Sequence, residues 1–233
     1  MLREFILDTM FPKKCLGCNA EGSYICTPCF EKIKPNKQPK CPLCGKRSPE
    51  HATCPSCKDK TRLNGIIIAN NWEDALLRQL IYEYKYRFIK DMSKKLSKTL
   101  IKSLLNHNIS LINIDNVILS FVPLHARRES WRGFNQSALM AKELCAHFGW
   151  QAAPLLQKMR NIAPQAEIKT QSARIKNTKD AFSPISYPVL PIKGKIVLLV
   201  DDICTTGATL EQCAKALKPL KPKEIWGIVL ARG

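Results

Sequence analysis

Residues 197–210, Val-Leu-Leu-Val-Asp-Asp-Ile-Cys-Thr-Thr-Gly-Ala-Thr-Leu, hold the densest chemistry in the chain. An apolar run ends in two adjacent carboxylates, Asp201 and Asp202, and passes on through Thr205, Thr206, Gly207, Ala208 and Thr209. Carboxylates accept hydrogen bonds and so suit a vicinal diol. Backbone N–H groups at a helix start, flanked by hydroxyls, suit a phosphate. Gly207 permits the dihedrals and the close approach that a phosphate-wrapping loop needs. Acids first and anion loop second fit a ligand that carries a sugar diol close to a phosphate. Cys204, beside this loop, stands where a thiolate is favoured, although filling the loop is the plainer role.

A second anion site is expected after the apolar run Val117–Val122. There the chain reads His125-Ala-Arg127-Arg128-Glu-Ser-Trp131-Arg132-Gly133-Phe134-Asn135-Gln136. The planar guanidinium fork pairs bidentately with phosphate oxygens. Arg127, Arg128 and Arg132, with Asn135 and Gln136, are therefore candidate contacts to pyrophosphate or to a nucleic-acid backbone. Trp131 and Phe134 could stack on bases or be buried.

Eight of the eleven cysteines form Cys-x-x-Cys pairs: Cys15/Cys18, Cys26/Cys29, Cys41/Cys44 and Cys54/Cys57. Each pair can supply one edge of a tetrahedral thiolate site, so four pairs make two structural zinc sites of four cysteines each. Short linkers favour closure of neighbours, the first pair with the second and the third with the fourth. A cross-braced arrangement stays open. A thioredoxin-like redox role would place one such pair after a strand at a helix start, and no βαβ pattern surrounds these. His51 reads as a solvated loop histidine. The remaining cysteines lie far downstream, which divides the chain into residues 1–60, a small metal module expected to fold poorly without zinc, and residues 61–233.

The larger part must position the two anion loops. Gly65–Ala69, Val117–Val122, Ile196–Val200 and Glu224–Leu230 read as strands, the last as an edge strand led by Pro222. Their continuous apolar character suits a parallel sheet of about five strands buried on both faces. Helical spacing follows from Asp74, with Leu76, Leu77, Leu80, Ile81 and Tyr84 on one side. It recurs over about 88–105 and through Phe148. The second of these helices carries Lys90, Lys94, Lys98 and Lys102 on its polar side, a track for phosphates or an ordinary solvated face. The first dozen residues, with Leu2, Phe5, Ile6 and Met10, resemble a short amphipathic helix interrupted by charges. No secretory cleavage site follows.

The formal net charge is +18, from 37 Lys and Arg against 19 Asp and Glu, in a chain that is 45% hydrophobic. That apolar content suffices for a core, while no run approaches the roughly 20 residues of a membrane span. Two tetrathiolate zinc sites, each contributing −2, lower the charge to +14. Residues 61–233 hold 26 basic and 13 acidic residues, so the positive field belongs there. A polyanionic partner is the natural expectation, and the cytoplasm the expected location.

Taken together, Arg-Arg-x-x-Trp-Arg-Gly-Phe-Asn-Gln, Val-Asp-Asp-x-x-Thr-Thr-Gly-x-Thr and the paired cysteine knuckles resemble the ComF/GntX family over essentially the whole chain. The resemblance extends to Lys85-Tyr86, Pro164-Gln165, Arg174, Asn177 and Ala181-Phe182. It implies an α/β fold, a type I phosphoribosyltransferase-like parallel sheet with flanking helices, behind an N-terminal double zinc ribbon. It further implies binding of phosphoribosyl pyrophosphate (PRPP) with Mg²⁺ at Asp201–Thr209, and a role in DNA uptake during natural transformation. Single-stranded DNA and a competence helicase or another uptake protein are the implied partners. Residues 165–179, with Arg174, Lys176 and Lys179, would be a mobile hood or a solvated helix. Thr205 stands where purine-type members carry an acid that assists proton transfer, so purine salvage is not implied. Two other readings remain: a soluble phosphoribosyltransferase with an unknown small acceptor, and an assembly adaptor working through its zinc ribbons.

Overall fold

A computed structural model describes residues 12–87, 89–106, 116–160, 170, 178, 180–186 and 190–233. The expected N-terminal helix and the cations of the expected hood lie outside the described residues. Seven strands lie among the described residues: β1 (Gly65–Asn70), β2 (Val117–Phe121), β3 (Gln151–Ala152), β4 (Leu156–Lys158), β5 (Phe182–Pro184), β6 (Ile196–Cys204) and β7 (Glu224–Arg232). The α-helices are α1 (Thr27–Glu31), α2 (Ala75–Tyr86), α3 (Met92–Asn106), α4 (Ala126–Arg132), α5 (Gln136–Phe148) and α6 (Ala208–Leu217).

Five strands form one sheet in the order β1-β7-β6-β2-β3, and every pairing in it is parallel. The remaining two, β4 and β5, make a separate antiparallel hairpin. Alternate residues of β6 face opposite cores. Ile196, Leu198 and Val200 pack with α2, α3 and α5, while Val197 and Leu199 pack with α6 and the hairpin. The apolar run of β6 lacks polar alternation because both of its faces are covered.

Two expectations are corrected here. Strand β7 is not an edge strand: it lies between β1 and β6, with Ile225–Ala231 buried. Pro222 precedes the strand and removes no ladder donor, so it gives no information on edge or centre. Strand β6 also runs to Cys204, because Asp201, Ile203 and Cys204 continue the register with β7.

Helix α2 begins where expected. Asp74 caps it by accepting from the Leu77 N–H at 3.0 Å, and its other carboxylate oxygen accepts from the Lys34 N–H at 3.0 Å. One side chain thus satisfies an orphan helix donor and ties down the cysteine module. The segment around Pro35 runs along the exposed edge of β1. Asn36 N–H donates to the Ala69 carbonyl and Asn71 N–H to the Lys34 carbonyl, each at 3.0 Å. At the other end of β1, Thr53 N–H donates to the Asn64 carbonyl at 2.7 Å. His51 is fully buried there rather than solvated, because its turn packs on β1. Gly65 is required at this junction, since a Cβ would come within 2.6 Å of the His51 carbonyl oxygen and collide with the Trp226 ring. Cys15, Ile25, Cys29 and Ile33 pack into the core under α2 and α3.

Candidate ligand site and metal centres

Strand β2 leads on to β3 at one side of the sheet, whereas β6 leads on to β7 at the other. The chain therefore parts between the carboxyl ends of β2 and β6, the crevice where open α/β sheets collect ligands. The arginine segment follows β2 and the threonine-glycine loop follows β6, so topology brings the two expected anion loops to the same edge. Ser137, in the first turn of α5, closes the gap by donating from Oγ to Asp201 Oδ1 at 3.2 Å.

The acid pair is held by different partners. Asp201 Oδ1 also accepts from the Asp202 N–H at 2.9 Å. Asp202 Oδ1 accepts from the Ile203 N–H at 2.6 Å and pairs with Lys85 Nζ at 2.9 Å. Lys85 lies in the last turn of α2. Burial and the neighbouring Asp202 charge push the Asp201 carboxyl up to about 7, against the pull of Lys85 and the hydrogen bonds from Asp202 and Ser137. Two carboxylates forced together at a sheet edge, with the pKa of Asp201 raised to about 7, are the kind of arrangement that functional sites use. Lys85→Ala leaves Asp202 without its cation in a nearly buried position. The expected cost is on the order of 2 kcal/mol, below the value for fully buried pairs because the lysine is partly solvated. Urea denaturation checks it.

The loop after β6 forms the cradle. Gly207 has φ 82° and caps α6, and Thr206 Oγ1 accepts from the Ala208 N–H at 3.3 Å. The end of β7 pins the loop: Arg232 Nε donates to the Thr205 carbonyl at 3.1 Å, and Gly233 N–H to the Cys204 carbonyl at 3.0 Å. A cleft of about 140 Å³ opens here, lined by Trp72, Lys85, Asp201 and residues 203–210, which include Thr205, Thr206, Gly207, Ala208 and Thr209. Cys204 is buried, and desolvation pushes its thiol up to about 11. The sequence expectation of a favoured thiolate is thereby reversed.

Across the crevice, α4 starts at His125, whose Nδ1 accepts from the Arg127 N–H at 3.3 Å, and ends at Gly133 with φ 76°. Arg127 is exposed, and Arg128 and Arg132 are half-buried. Burial and then the Arg128 charge lower the Arg132 pKa, with Asp202 opposing. Lys158 on β4 is lowered by burial and then by Arg128, with Asp201 opposing. Lys85 thus pairs with Asp202, while Arg132 feels the charge of Asp202 and Lys158 that of Asp201. Asn135 and Gln136, expected to touch an anion, are instead buried. Asn135 accepts from the Ala138 N–H at 3.2 Å and donates to the Val122 carbonyl at 3.0 Å, so it caps α5 and fastens the loop. The Gln136 carbonyl accepts from Tyr84 Oη at 3.0 Å. Phe134 is buried 6.0 Å from the Tyr84 ring and is lost as a stacking candidate, whereas Trp131 is 67% exposed.

Sequence reasoning did not assign Lys85, Ser137, Trp72, Arg232 or Lys158 to the site. The available signal for Trp72 was its place just past the carboxyl end of a parallel strand, the edge where ligands gather.

The cysteines form two clusters, Cys15/Cys18/Cys26/Cys29 and Cys41/Cys44/Cys54/Cys57, whose sulfurs lie within 4.8 Å of one another. This is the neighbour pairing, and the cross-braced alternative is not formed. Sulfurs of a zinc tetrathiolate stand about 3.8 Å apart, given a Zn–S bond of about 2.3 Å. Cys15–Cys26 and Cys18–Cys26 are 3.6 Å apart and Cys44–Cys54 is 3.7 Å, so the donor set fits zinc. The Cys26 N–H points at the Cys15 sulfur at 3.4 Å and the Cys54 N–H at the Cys41 sulfur at 3.5 Å, contacts that favour thiolates. Gly45, after the second ligand of its knuckle, adopts φ 70°.

Comparison with known proteins agrees with this anatomy. The double zinc ribbon domain matches residues 6–58 and the phosphoribosyl transferase domain matches residues 137–233. DNA utilization protein YhgH of Escherichia coli O157:H7 is 29% identical over 83% of each chain. Competence protein F of Haemophilus influenzae is 26% identical over 95% of this chain and 98% of its own. Competence protein ComFC of Bacillus subtilis is 28% identical over 83% of this chain and 77% of its own. Among the described residues no helix is long and apolar enough to cross a membrane. The chain thus joins a double zinc ribbon to a phosphoribosyltransferase domain, and its homologues are named Competence protein F, ComFC and YhgH.

Proposed function

We propose that the protein binds PRPP with Mg²⁺ at the carboxyl edge of its sheet and serves the handling of single-stranded DNA during uptake. The observation that carries the ligand is the acid pair set directly before a glycine-capped helix start at the topological switch point. In this reading the amides and hydroxyls of Thr205–Thr209 hold the 5′-phosphate, Asp201 and Asp202 hold the ribose diol, and Arg127, Arg128 and Arg132 face the pyrophosphate. Mg²⁺ would rest mainly on PRPP oxygens and water, and the acid pair lies at the right edge to meet that water. The names of the competence and DNA utilization relatives support the DNA role. The reading takes a cytoplasmic setting, with a helicase or another uptake protein as partner. Residues 1–60 would act as the zinc-dependent module of this assembly and residues 61–233 as the ligand-binding domain.

If turnover occurs, the work is electrostatic: the cations neutralise departing pyrophosphate and the acid pair fixes the ribose. Calorimetric titration of PRPP–Mg²⁺ into the protein tests the reading. One saturable site is expected, and the absence of binding overturns it.

The poise of Asp201 gives a pH dependence. Its folded pKa is raised from the ordinary 3.8 to about 7. Its contribution to stability is therefore present in acid and is lost as pH rises through 7. Diol hydroxyls donate to the ionised form, so PRPP affinity is expected to rise as pH passes through about 7. PRPP has its own titrating phosphates, so the check is a pH series on wild type and Asp201→Asn. The variant should lose the part of the rise that belongs to the protein.

A further inference from the structure

The linker between the two zinc sites does more than connect them. Lys34, Lys37 and Lys40 recur at every third residue along it, and all three are exposed, as is Arg47 beyond them. A cleft of about 270 Å³ is lined by Lys37, Gln38, Pro39, Lys40 and Arg47. It adjoins a larger one of about 800 Å³, with which it shares Lys37, Gln38 and Lys40. Lys34, Trp72 and Arg232 also line the larger cleft, and Trp72 in turn lines the cleft of the Thr205–Thr209 loop. Their shared lining residues set the three clefts in series, a trench-like run from the second ribbon to the candidate ligand loop. Among the described residues Glu73 is the single acid on the walls of its two outer parts. None of Lys34, Lys37, Lys40 and Arg47 forms an ion pair with a described residue.

Like charges gathered without partners oppose folding, so their reward lies in a ligand of opposite sign. A narrow cationic trench with an aromatic ring at its inner end matches a single strand, whose phosphates track cations and whose bases stack. The α3 lysines Lys98 and Lys102 line a neighbouring cleft of about 350 Å³, which shares Pro35, Asn36, Lys37 and Asn70 with the trench but no residue with the cleft of the ligand loop. That helix packs on the face of the sheet opposite to α6, the helix that opens from the loop.

We infer that this trench is the track for single-stranded nucleic acid and that it delivers the strand to Trp72 at the mouth of the PRPP cleft. The inference rests on the proposed DNA-handling role and adds where the strand lies. Arg232 belongs to both regions, lining the trench while holding the Thr205 carbonyl.

The test compares two triple variants of the full chain with equal loss of charge: Lys37→Gln/Lys40→Gln/Arg47→Gln in the trench and, as a control, Lys193→Gln/Lys218→Gln/Lys223→Gln at exposed positions that line none of these clefts. The probe is a fluorescein-labelled oligo(dT) of roughly 20 nucleotides, long enough to fill the track. At about 0.1 M salt the trench variant is expected to bind 10- to 100-fold more weakly, with a log–log salt slope smaller by about 2. The control variant should lose less than about 3-fold, and PRPP affinity should be unchanged in both. Equal losses in the two variants, or wild-type affinity in the trench variant, overturn the trench and leave the DNA-binding reading standing. A wild-type protein that fails to bind the probe overturns both.

Discussion

Asp201→Asn/Asp202→Asn is expected to weaken PRPP binding by at least about 100-fold while the protein stays folded. Each lost acceptor in a diol pair leaves a hydroxyl paired to an amide of poorer charge, and hydrogen bonds to charged groups are worth about 1.5–3 kcal/mol each. The single change Asp201→Asn should act oppositely on the ligand-free fold. It removes like-charge repulsion at a half-buried position, and the asparagine oxygen can still accept from Ser137 and from the Asp202 N–H. Above pH 7 the melting temperature is therefore expected to rise, by the equivalent of about 1 kcal/mol, although ligand affinity falls. Calorimetry for the ligand and a thermal scan for stability read the two effects separately. Loss of stability in parallel with affinity would make the acid pair structural.

Zinc removal should produce the second large effect. Structural zinc contributes about 10–16 kcal/mol of apparent folding energy in small domains, as much as the stability of a whole domain. The loss should not stop at the ribbons. Cys15, Ile25, Cys29 and Ile33 share the core with Leu77, Tyr84 and Leu96, and the segment around Pro35 pairs with the edge of β1. Strong chelation, or Cys18→Ser with Cys26→Ser in the first site, is expected to expose that apolar face and strip protection from amides 69–71. Amides 198–202, at the centre of the sheet, should keep theirs. Hydrogen exchange with and without chelator checks this, and elemental analysis should find two zinc ions per chain. Unchanged exchange at β1 after complete zinc loss would refute the shared-core account.

Several elements were legible because their signals are local. Strand, acid pair, loop and helix follow one another within residues 196–217, and each carries its own pattern of burial, charge or glycine. The cysteine pairing was legible because short linkers restrict which knuckles can meet. What could not be read came from distance along the chain. Lys85 reaches Asp202 from the end of α2, and Ser137 reaches Asp201 from the start of α5. No periodicity links such positions; only the sheet order does. Strand β7 was misplaced because an apolar run reports coverage of both faces and says nothing of which neighbours pair beside it. Asn135 looked like a phosphate contact for a related reason: the same donor and acceptor that suit a ligand also suit a helix cap, and its burial decided between them.

The central assignment meets its most direct test in hydrogen exchange on the zinc-loaded wild-type protein, with and without PRPP and Mg²⁺. Ligand held by the cradle should slow exchange at the amides of Thr206–Thr209 and leave the ribbons unaffected. Saturating PRPP with no change at these amides, or with protection confined to another surface, would contradict it.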